Sequence, residues 1–296
     1  MIRPRVLAVG DVMVDIIVRP EGPIVRGSDR RAEIVKAHGG SGANQAAWFG
    51  HFEVPVTLLA RVGAADLRTY ALHFKRLGVT ASLIGDVEQP TGTLVTLVDP
   101  DGQRSFLTDR SANLNLGPHD LPAQVLDGIS LLVVSGYSLF AERPRNAVAE
   151  LMRRARTAGV PVAVDPASAS FLAESGPDKF LRATAGAAMA FPNHEEAELL
   201  TGVSPVDEQI EKLLEHYELV AIKRGAQGAA AGARGSATVS LPAPKIKVRD
   251  TTGAGDAFLA RFVAERFSGS GLEQCLARAI GAGSAAAAMV GGQPPR

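Results

Sequence analysis

A glycine-rich stretch near the carboxyl terminus, DTTGAGDAF at 250–258, combines residue types that could act on a bound anion. Gly253 and Gly255 let a ligand approach the backbone without meeting a Cβ atom. The apolar spacing just downstream predicts a helix that begins at this turn. The first N–H groups of a helix have no internal partners and lie at the positive end of its dipole. We therefore expect Gly253, Ala254 and Gly255 to form a phosphate cradle.

Asp256 is the unusual member of this stretch, because its carboxylate repels the anion that the cradle attracts. The placement makes chemical sense if the carboxylate accepts a proton from a hydroxyl group that attacks the bound phosphate. From the residues alone a structural explanation is equally open, in which Asp256 favours the helix dipole and Asp250 caps a turn. Upstream, APKIKVR at 243–249 predicts a strand that leads into the turn.

A second glycine-rich turn, GGSGANQAAW at 39–48, also leads into a predicted helix. Ser41 and Asn44 could hydrogen-bond a polar ligand, and glycines such as Gly40 would let that ligand come close. A plain loop with a helix cap explains the same residues. The motif alone does not decide between these two interpretations.

Two aspartates interrupt the apolar run AVGDVMVDIIV, where the first strand leaves the predicted core. Charged groups at such a place are costly unless they are paired or solvated. Asp11 and Asp15 would suit a ligand with several hydroxyl donors, or they would face solvent at the end of the strand.

Two further motifs lie in the second half of the chain. In FPNHEEAELLTG, Asn193 and Glu196 have the spacing of a capping box, which accounts for both residues. The same pair could order a water molecule bound to Mg²⁺, since this ion keeps much of its water and takes few protein ligands. The two roles are compatible. In AIKRGAQGAAAG, Gly225 and Gly228 follow a strand and fit either a nucleotide-binding loop or a hairpin turn.

The composition and the missing motifs narrow the class of protein. Lys+Arg and Asp+Glu both number 31 in 296 residues, so a net charge of zero disfavours broad binding to nucleic acid or to an acidic membrane. The chain has no GK pair of a P-loop and no GxSxG elbow, and HEEAE lacks the second histidine of a zinc protease. Cys275 is the only cysteine, and the apolar run at the start is too short for a signal peptide. We expect a cytoplasmic protein.

Short apolar runs alternate with amphipathic helical patterns over most of the chain. In one predicted helix Leu67, Tyr70, Phe74 and Leu77 share a face. This rhythm predicts an α/β fold whose mainly parallel sheet is covered by helices on both faces. Buried strands are predicted at 6–9, 56–60, 131–134, 162–165, 187–191 and 219–223.

Two segments break this rhythm. VMVDIIVR and RAEIVKA are strand-like, and TGTLVTLVDPDGQRSFLT predicts a hairpin around DPDG. We assign residues 12–37 and 91–110 to a small β-sheet lid, and residues 1–11, 38–90 and 111–296 to the α/β domain. The alternative is that these strands are antiparallel edge strands of the main sheet.

The order and spacing of the motifs GD…VD, GGSGANQA, DRSANLNL, NHEE, KRGAQG and DTTGAGDAF resemble the ribokinase family of carbohydrate kinases, also called the phosphofructokinase B family. The resemblance covers nearly the whole chain, and GGSGANQA and DTTGAGDAF are its specific parts. It implies a ribokinase-like three-layer sandwich with a mainly parallel sheet and a small β-sheet lid. It also implies Mg²⁺-dependent transfer of the γ-phosphoryl group of ATP to a hydroxyl of a sugar or sugar-like substrate.

The resemblance also implies a role for the residues of each motif. Asp256 is the catalytic base, and Gly253, Ala254 and Gly255 form the anion hole. Glu196 lies near Mg²⁺ and acts through water, while Asp250 and Thr252 fall where many members hold a monovalent cation, which suggests K⁺. The substrate-binding set is Asp11, Asp15, Gly40, Ser41 and Asn44, and the nucleotide-binding set is Asn193, Lys223, Gly225 and Gly228.

Two departures from ribokinases disfavour ribose itself as the substrate. Ser41 stands where ribokinases carry lysine, and Gly136 stands where they carry a sugar-contacting glutamate. Tyr137, Arg104 and Arg110 could shape a different pocket. The two arginines suggest an acidic or phosphorylated substrate, unless they are simply exposed hairpin residues.

Other functions remain open within and outside this class. A kinase for adenosine- or pseudouridine-like nucleosides has the same fold. A non-catalytic regulator that binds a sugar or nucleotide is a further alternative, but such a protein would not need Asp256 as a base. The resemblance also implies that a homodimer could form through the lid, since exposed lid strands would gain from pairing.

Overall fold

The computed structural model describes residues 3–99 and 104–295. Within these residues the chain forms thirteen β-strands and nine α-helices. The strands are β1 Val6–Val9, β2 Met13–Pro20, β3 Ala32–Gly39, β4 Val56–Gly63, β5 Val79–Asp86, β6 Gly92–Val98, β7 Arg104–Asp109, β8 Leu131–Ser135, β9 Val162–Asp165, β10 Met189–Ala190, β11 Leu219–Lys223, β12 Ala229–Ala233 and β13 Val239–Leu241. The helices are α1 Ser41–His51, α2 Leu67–Arg76, α3 Glu142–Thr157, α4 Ala169–Ser175, α5 Pro177–Ala183, α6 His194–Thr201, α7 Val206–Leu214, α8 Ala254–Phe267 and α9 Leu272–Ala287.

The large sheet has the strand order β13-β12-β11-β10-β9-β8-β1-β4-β5. The strands from β11 to β5 run parallel, and β12 and β13 are antiparallel to their neighbours. In β1, Val6 and Ala8 face one core while Leu7 and Val9 face the other. A strand buried on both faces explains the uninterrupted apolar run VLAV.

Helices cover both faces of this sheet, which confirms the predicted α/β architecture. Helices α1, α2, α8 and α9 fill one core with side chains such as Phe49, Phe74 and Phe262. Helices α3 to α7 fill the other core, with side chains such as Leu151 and Phe180. In the described part of the chain, no helix combines the length and the apolar character needed to cross a membrane.

Two predicted strands differ from the structure. The strand predicted at 187–191 is reduced to β10, Met189–Ala190. The strand predicted at 243–249 does not form, and residues 244–249 are exposed. Pro242 and Pro244 have no N–H group to donate to a neighbouring strand, which limits pairing of this segment to the sheet edge.

The segments that break the α/β rhythm form a separate four-stranded sheet in the order β3-β2-β6-β7, as predicted, and the alternative that they are edge strands of the main sheet is wrong. Strands β2 and β6 are parallel and the other pairs are antiparallel. Most of the predicted DPDG turn falls at 100–103, outside the described residues, as does the side chain of Arg104. The boundaries of the lid and its closing remain predictions.

The carboxyl ends of the parallel strands bring distant parts of the sequence to one edge of the large sheet. Strand β9 ends at Asp165, β11 ends at Lys223, and Tyr137 lies two residues beyond β8. Asn193 forms a bridge with Lys223 just after β10. Open α/β sheets bind their ligands at this edge, so these residues are candidates for a binding site.

Candidate active site

A cavity of about 1390 Å³ lies at this edge and is lined by residues of the large sheet's carboxyl ends, the small sheet and the start of α8. Of the predicted site residues, Asp250 is the one that does not line it. The structure thus gathers residues from both ends of the sequence around one space. The predicted residues that line the cavity are Asp11, Asp15, Gly40, Ser41, Asn44, Asn193, Glu196, Lys223, Gly225, Gly228, Thr252, Gly253, Ala254, Gly255 and Asp256.

The start of α8 is a left-handed glycine turn that opens onto the cavity. Gly253 precedes the helix with φ of 74°, and a Cβ atom at this position would lie 2.1 Å from the Gly292 carbonyl oxygen. No other residue type fits such a turn without strain. The Ala254 N–H donates to the Thr251 carbonyl oxygen at 3.2 Å. The following amides of the first turn have no partner within the helix, as an anion cradle requires.

The Asp256 carboxylate lies in the first turn of α8 and is partly exposed to the cavity. The Ser41 hydroxyl donates to Asp256 Oδ1 at 3.0 Å. Burial and the nearby negative charge of Asp165 raise the pKa of Asp256 to about 7, although Lys223 and Ser41 act in the opposite direction. A carboxyl group with this pKa can exchange a proton near neutral pH.

A buried ion pair lies next to the cradle. Lys223 Nζ contacts Asp165 Oδ2 at 2.7 Å, and the Lys223 side chain is 16% exposed. Burial lowers the pKa of Lys223, but Asp165 and Glu196 together raise it above its usual value, so the ammonium stays charged. A Cβ atom built at Gly255 would lie 3.3 Å from Lys223 Nζ. This glycine therefore brings a fixed positive charge close to the backbone of the cradle.

Asn193 and Glu196 form the predicted capping box at the start of α6. The Glu196 N–H donates to Asn193 Oδ1 and the Asn193 N–H donates to Glu196 Oε2, both at 2.8 Å. Glu196 is only 2% exposed, and burial raises the pKa of its carboxyl group while the Lys223 ammonium opposes that effect. Capping accounts for one carboxylate oxygen, and the pair also lines the cavity.

Asp11 and Asp15 are both buried, so the interpretation that they face solvent is wrong. Asp11 forms two hydrogen bonds with Arg110, at 2.7 and 2.9 Å, and Arg110 is itself buried rather than an exposed hairpin residue. Asp15 Oδ1 has no hydrogen-bond donor among the described residues. Burial and the negative charge of Asp250 raise the pKa of Asp15 to about 7. Hydroxyl groups of a ligand that donate to this buried Oδ1 atom would stabilise the Asp15 carboxylate.

Asp250 lies behind the cavity wall, where it joins the turn before α8 to the end of the chain. Its Oδ1 atom accepts from the Thr252 N–H at 2.8 Å and its Oδ2 atom from the Gly291 N–H at 3.0 Å. The indole N–H of Trp48 donates to the carbonyl oxygen of Gly292 at 3.0 Å. The described residues contain no group of three or more His, Cys, Asp or Glu side chains suited to a metal ion. The K⁺ site at Asp250 and Thr252 stays a prediction.

The segment KRGAQG forms a hairpin turn between β11 and β12, as one of its two interpretations predicts. Gly225 and Gly228 have φ of 55° and 92°, and a Cβ atom at Gly228 would lie 2.0 Å from the Leu241 carbonyl oxygen. Both glycines also line the cavity, so the turn is compatible with the nucleotide-binding interpretation too.

The cavity contains residues that the motifs did not identify. Asp165 had a usable signal, because a charged residue ended the buried run VAVD. Ile246 and Val248 come from the segment without strand pairing and are 38% and 57% exposed. Phe106 and Phe171 reach the cavity from the small sheet and from α4, and no sequence pattern indicated their convergence.

Solved structures share this architecture over nearly the full chain. A probable sugar kinase from Rhizobium etli superposes with a TM-score of 0.89 at 25% identity, covering 99% of this chain and 96% of that one. Adenosine kinase from Sinorhizobium meliloti gives 0.87 at 25% identity with the same coverage. Ribokinase from Arabidopsis thaliana, complexed with ribose and ATP, gives 0.80 at 26% identity, covering 98% and 94%. The fold is therefore the ribokinase-like α/β fold of small-molecule kinases.

Sequence comparison leads to the family. The chain belongs to the pfkB family of carbohydrate kinases, whose model matches residues 3–296. Ribokinase of Arabidopsis thaliana is 28% identical over 98% of this chain and 78% of that enzyme. The bifunctional protein HldE of Escherichia coli is 28% identical over 92% of this chain, which spans only 57% of that longer protein.

Proposed function

We propose that the chain transfers the γ-phosphoryl group of ATP to a hydroxyl group of a sugar or sugar-like acceptor, with Asp256 as general base. The position of Asp256 carries this proposal. Its carboxylate lies in the first turn of α8, beside the glycine cradle, and its pKa is raised to about 7. A base with a pKa near the working pH is both sufficiently ionised and sufficiently basic to remove a proton.

The proposed reaction uses the cradle and the buried ion pair together. The acceptor hydroxyl gives its proton to Asp256 while its oxygen forms a bond to the γ-phosphorus. The bond from that phosphorus to the bridging oxygen breaks, and ADP leaves. Amides at the start of α8 and the Lys223 ammonium stabilise the negative charge on the phosphoryl oxygens. Asp165 holds Lys223 in place for this task.

The residues of the cavity are compatible with ATP and Mg²⁺. Asn193 and Glu196 would lie near Mg²⁺ and act through its water molecules, because this ion often takes few protein ligands. Bound Mg²⁺ would neutralise phosphate charge and orient the phosphates. Ile246 and Val248 offer an exposed apolar surface in the same cavity for the nucleotide base, near the turn that contains Gly225.

The acceptor half of the site would be formed by Asp15 on β2 and by Asn44 near the start of α1. Asp15 is buried with an oxygen that the described residues leave without a donor, so hydroxyl groups of a polyol would complete it. Asp11 is already held by Arg110, which leaves it a supporting role at the same wall.

A nucleoside is the second candidate acceptor, and one observation favours it. Phe106 from the small sheet and Tyr137 and Phe171 from the α/β domain line the cavity. Aromatic side chains on both sides would stack on a planar base in addition to binding a sugar. The S. meliloti neighbour is an adenosine kinase, which adds support from the family.

A panel of acceptors tests the proposed activity. The purified protein is incubated with ATP, Mg²⁺ and single free sugars, sugar phosphates and nucleosides, and ADP formation is measured. We expect ADP with at least one acceptor. Binding of ATP and of an acceptor without turnover across the panel would instead support a non-catalytic regulator.

The Asp256→Asn variant tests the general base. We expect ATP binding to be retained and the rate to fall by at least about 100-fold, the low end for general base catalysis. Asp207→Asn is the matched control, because Asp207 also lies in the first turn of a helix but is exposed and outside the cavity lining. Normal turnover by Asp256→Asn would refute the role.

Two predictions about the whole molecule accompany this function. We propose a homodimer through the outer face of the small sheet, where Ile34 and Leu107 are each 61% exposed. Sedimentation of Leu107→Lys beside the parent protein would test it, with a monomer expected only for the variant. The cytoplasmic location also stays a prediction.

A further inference from the structure

A chain of two hydrogen bonds leads from the interior of α1 to the Asp256 carboxylate. Gln45 Nε2 donates to Ser41 Oγ at 3.2 Å, and Ser41 Oγ donates to Asp256 Oδ1 at 3.0 Å. Ser41 is the first residue of α1 and Gln45 lies one turn later, so the two side chains share a helix face. We propose that Ser41 is a positioning residue for Asp256 and that Gln45 sets the direction of the Ser41 hydroxyl. The proposal rests on the proposed function, in which Asp256 is the base.

The direction of these hydrogen bonds follows from their chemistry. An ionised carboxylate only accepts, so Ser41 must use its single hydrogen for Asp256. The remaining partner of Ser41 must then be a donor, and the amide nitrogen of Gln45 fills that place. The hydroxyl group is therefore held in one orientation by the two neighbours, and it restrains the carboxylate on which the proposed chemistry depends.

The surroundings of Gln45 argue against a purely structural role. Its side chain is completely buried, and its Oε1 atom has no hydrogen-bond donor among the described residues. A buried amide without full hydrogen bonding destabilises a fold relative to an apolar side chain of similar size. Packing alone would therefore favour methionine or leucine here, and the bond to Ser41 is what the amide contributes.

The expected consequence is a lower proton affinity of Asp256. Burial and Asp165 raise the pKa of this group, and the donated hydrogen bond from Ser41 works in the opposite direction by favouring the ionised form. The ionisable groups that face Asp256 from neighbouring elements are Asp165 at the end of β9, Lys223 at the end of β11 and Tyr137 just beyond β8. A change at Ser41 or Gln45 leaves all of them in place.

Three variants of the full chain test the inference by a measurement that needs no substrate. The carboxyl carbon of Asp256 is followed by ¹³C NMR as a function of pH and assigned by its loss in Asp256→Asn. In Ser41→Ala we expect the titration midpoint to rise by about one pH unit, since a hydrogen bond to a charged group is lost. Gln45→Met should shift the midpoint in the same direction by less, with an equal or higher Tm. Ser41→Thr keeps the hydroxyl and should stay close to the parent protein.

Kinetics with an acceptor from the panel separates positioning from direct substrate binding. In Ser41→Ala we expect kcat to fall about tenfold and the acidic limb of the pH profile to move upward, with little change in the acceptor KM. In the Asp256→Asn background, Ser41→Ala should have no further effect.

A control and two contrary outcomes complete the experiment. Gln209 is a fully buried glutamine outside the cavity lining, bonded to His194 and Val203, so Gln209→Met should lower Tm and leave the Asp256 midpoint unchanged. An unchanged midpoint in Ser41→Ala overturns the inference. So does a raised acceptor KM with unchanged kcat, which would make Ser41 a substrate contact. Failure of the panel would refute the proposed function, yet the NMR midpoint would still decide this inference.

Discussion

The starts of α1 and α8 are two versions of one structural device. Each helix follows a glycine with a positive φ, 94° at Gly40 and 74° at Gly253, and neither has a side chain that caps it. Both open onto the same cavity. They differ in charge, because α1 has no acidic residue in its first turn whereas α8 has Asp256 there.

The two starts also differ in what their backbone contacts. At α1 the Ala43 N–H donates to the Asp11 carbonyl oxygen at 3.1 Å, and a Cβ atom at Gly42 would lie 2.5 Å from the Cα atom of Gly10. The start of α1 thus packs against the residues that follow β1, and its first turn presents neutral side chains. The start of α8 packs against Gly292 and presents backbone amides beside the Asp256 carboxylate. A glycine turn before a helix therefore predicts a ligand-facing helix end, and the next residues decide its chemistry.

The largest expected difference between the two starts is the pH dependence of activity, which α8 alone would supply. The pKa of Asp256 is raised to about 7, and the base must be ionised to act. We expect kcat/KM to fall about tenfold per pH unit below 7, and so about 100-fold at pH 5. The residual rate of Asp256→Asn should not show this limb. A flat profile for the parent protein down to pH 5 would contradict the assignment.

Alanine at the two glycines that precede the helices should destabilise both starts. A Cβ atom would lie 2.1 Å from the Gly292 oxygen at Gly253 and 2.4 Å from the Asp11 oxygen at Gly40. We expect urea unfolding to show a loss of at least about 2 kcal/mol for each variant, because a clash adds to the left-handed backbone strain. Gly235→Ala is the control, with φ of 74° and no atom within 4 Å, and should lose about 1 kcal/mol. Equal losses of unfolding free energy for all three variants would show that the close backbone contacts at Gly40 and Gly253 do not contribute.

Two buried aspartates, Asp15 in the cavity lining and Asp86 outside it, should contribute to stability with opposite dependence on pH. The pKa of Asp15 is raised to about 7 by burial, so the native state binds the proton more tightly than the unfolded state does. Stability from this group falls as pH rises from about 4 to about 7. We expect Asp15→Asn to gain on the order of 1–2 kcal/mol at pH 7.5 and nothing at pH 4, measured by unfolding without ligands.

Asp86 provides the opposite case for the same measurement. Against the effect of burial, hydrogen bonds from Asn115 and Arg61 hold the pKa of Asp86 well below its usual range. Its contribution is present above the unfolded pKa and is lost as the pH falls through the folded pKa. Asp86→Asn should therefore destabilise the protein at pH 7.5. A gain in stability for this variant would contradict the contrast.

The smallest expected effect concerns the aromatic side of the acceptor site. Phe106 is 56% exposed on the small sheet and lines the cavity. Phe106→Ala should raise KM about fivefold for a nucleoside acceptor, and less for a free sugar, because a stacking contact contributes about 1 kcal/mol. Val87→Ala, at an apolar residue 89% exposed and outside the cavity lining, should change neither value. Equal increases for both acceptor classes would remove the argument for a nucleoside.

The periodicity of the sequence was sufficient to predict the layers of the fold. Apolar runs such as VLAV and LVAIK became strands at the predicted residues, because burial on both faces requires an unbroken apolar pattern. The strand predicted at 243–249 failed for a physical reason, because an apolar alternation does not reveal that Pro242 and Pro244 limit pairing of this segment. The glycine-rich turns could be placed because their backbone conformation admits few other residues.

The parts of the site that could not be predicted depend on side chains that meet only after folding. The sequence around Arg110 is typical of an exposed hairpin, yet Arg110 is buried against Asp11, 99 positions away. Ser41 was expected to face a substrate, and its contact with Asp256 spans 215 positions. Contacts between residues this far apart leave no local pattern in the sequence, so only the tertiary structure reveals them.

Trp48 gives this molecule a built-in optical reporter. It is the only tryptophan in the chain, and its indole donates to the carbonyl oxygen of Gly292, against which the Gly253 turn is also packed. Intrinsic fluorescence excited at the indole band therefore senses the junction between α1, the end of the chain and the turn before α8. Ligand titrations can be followed by emission from the unlabelled protein.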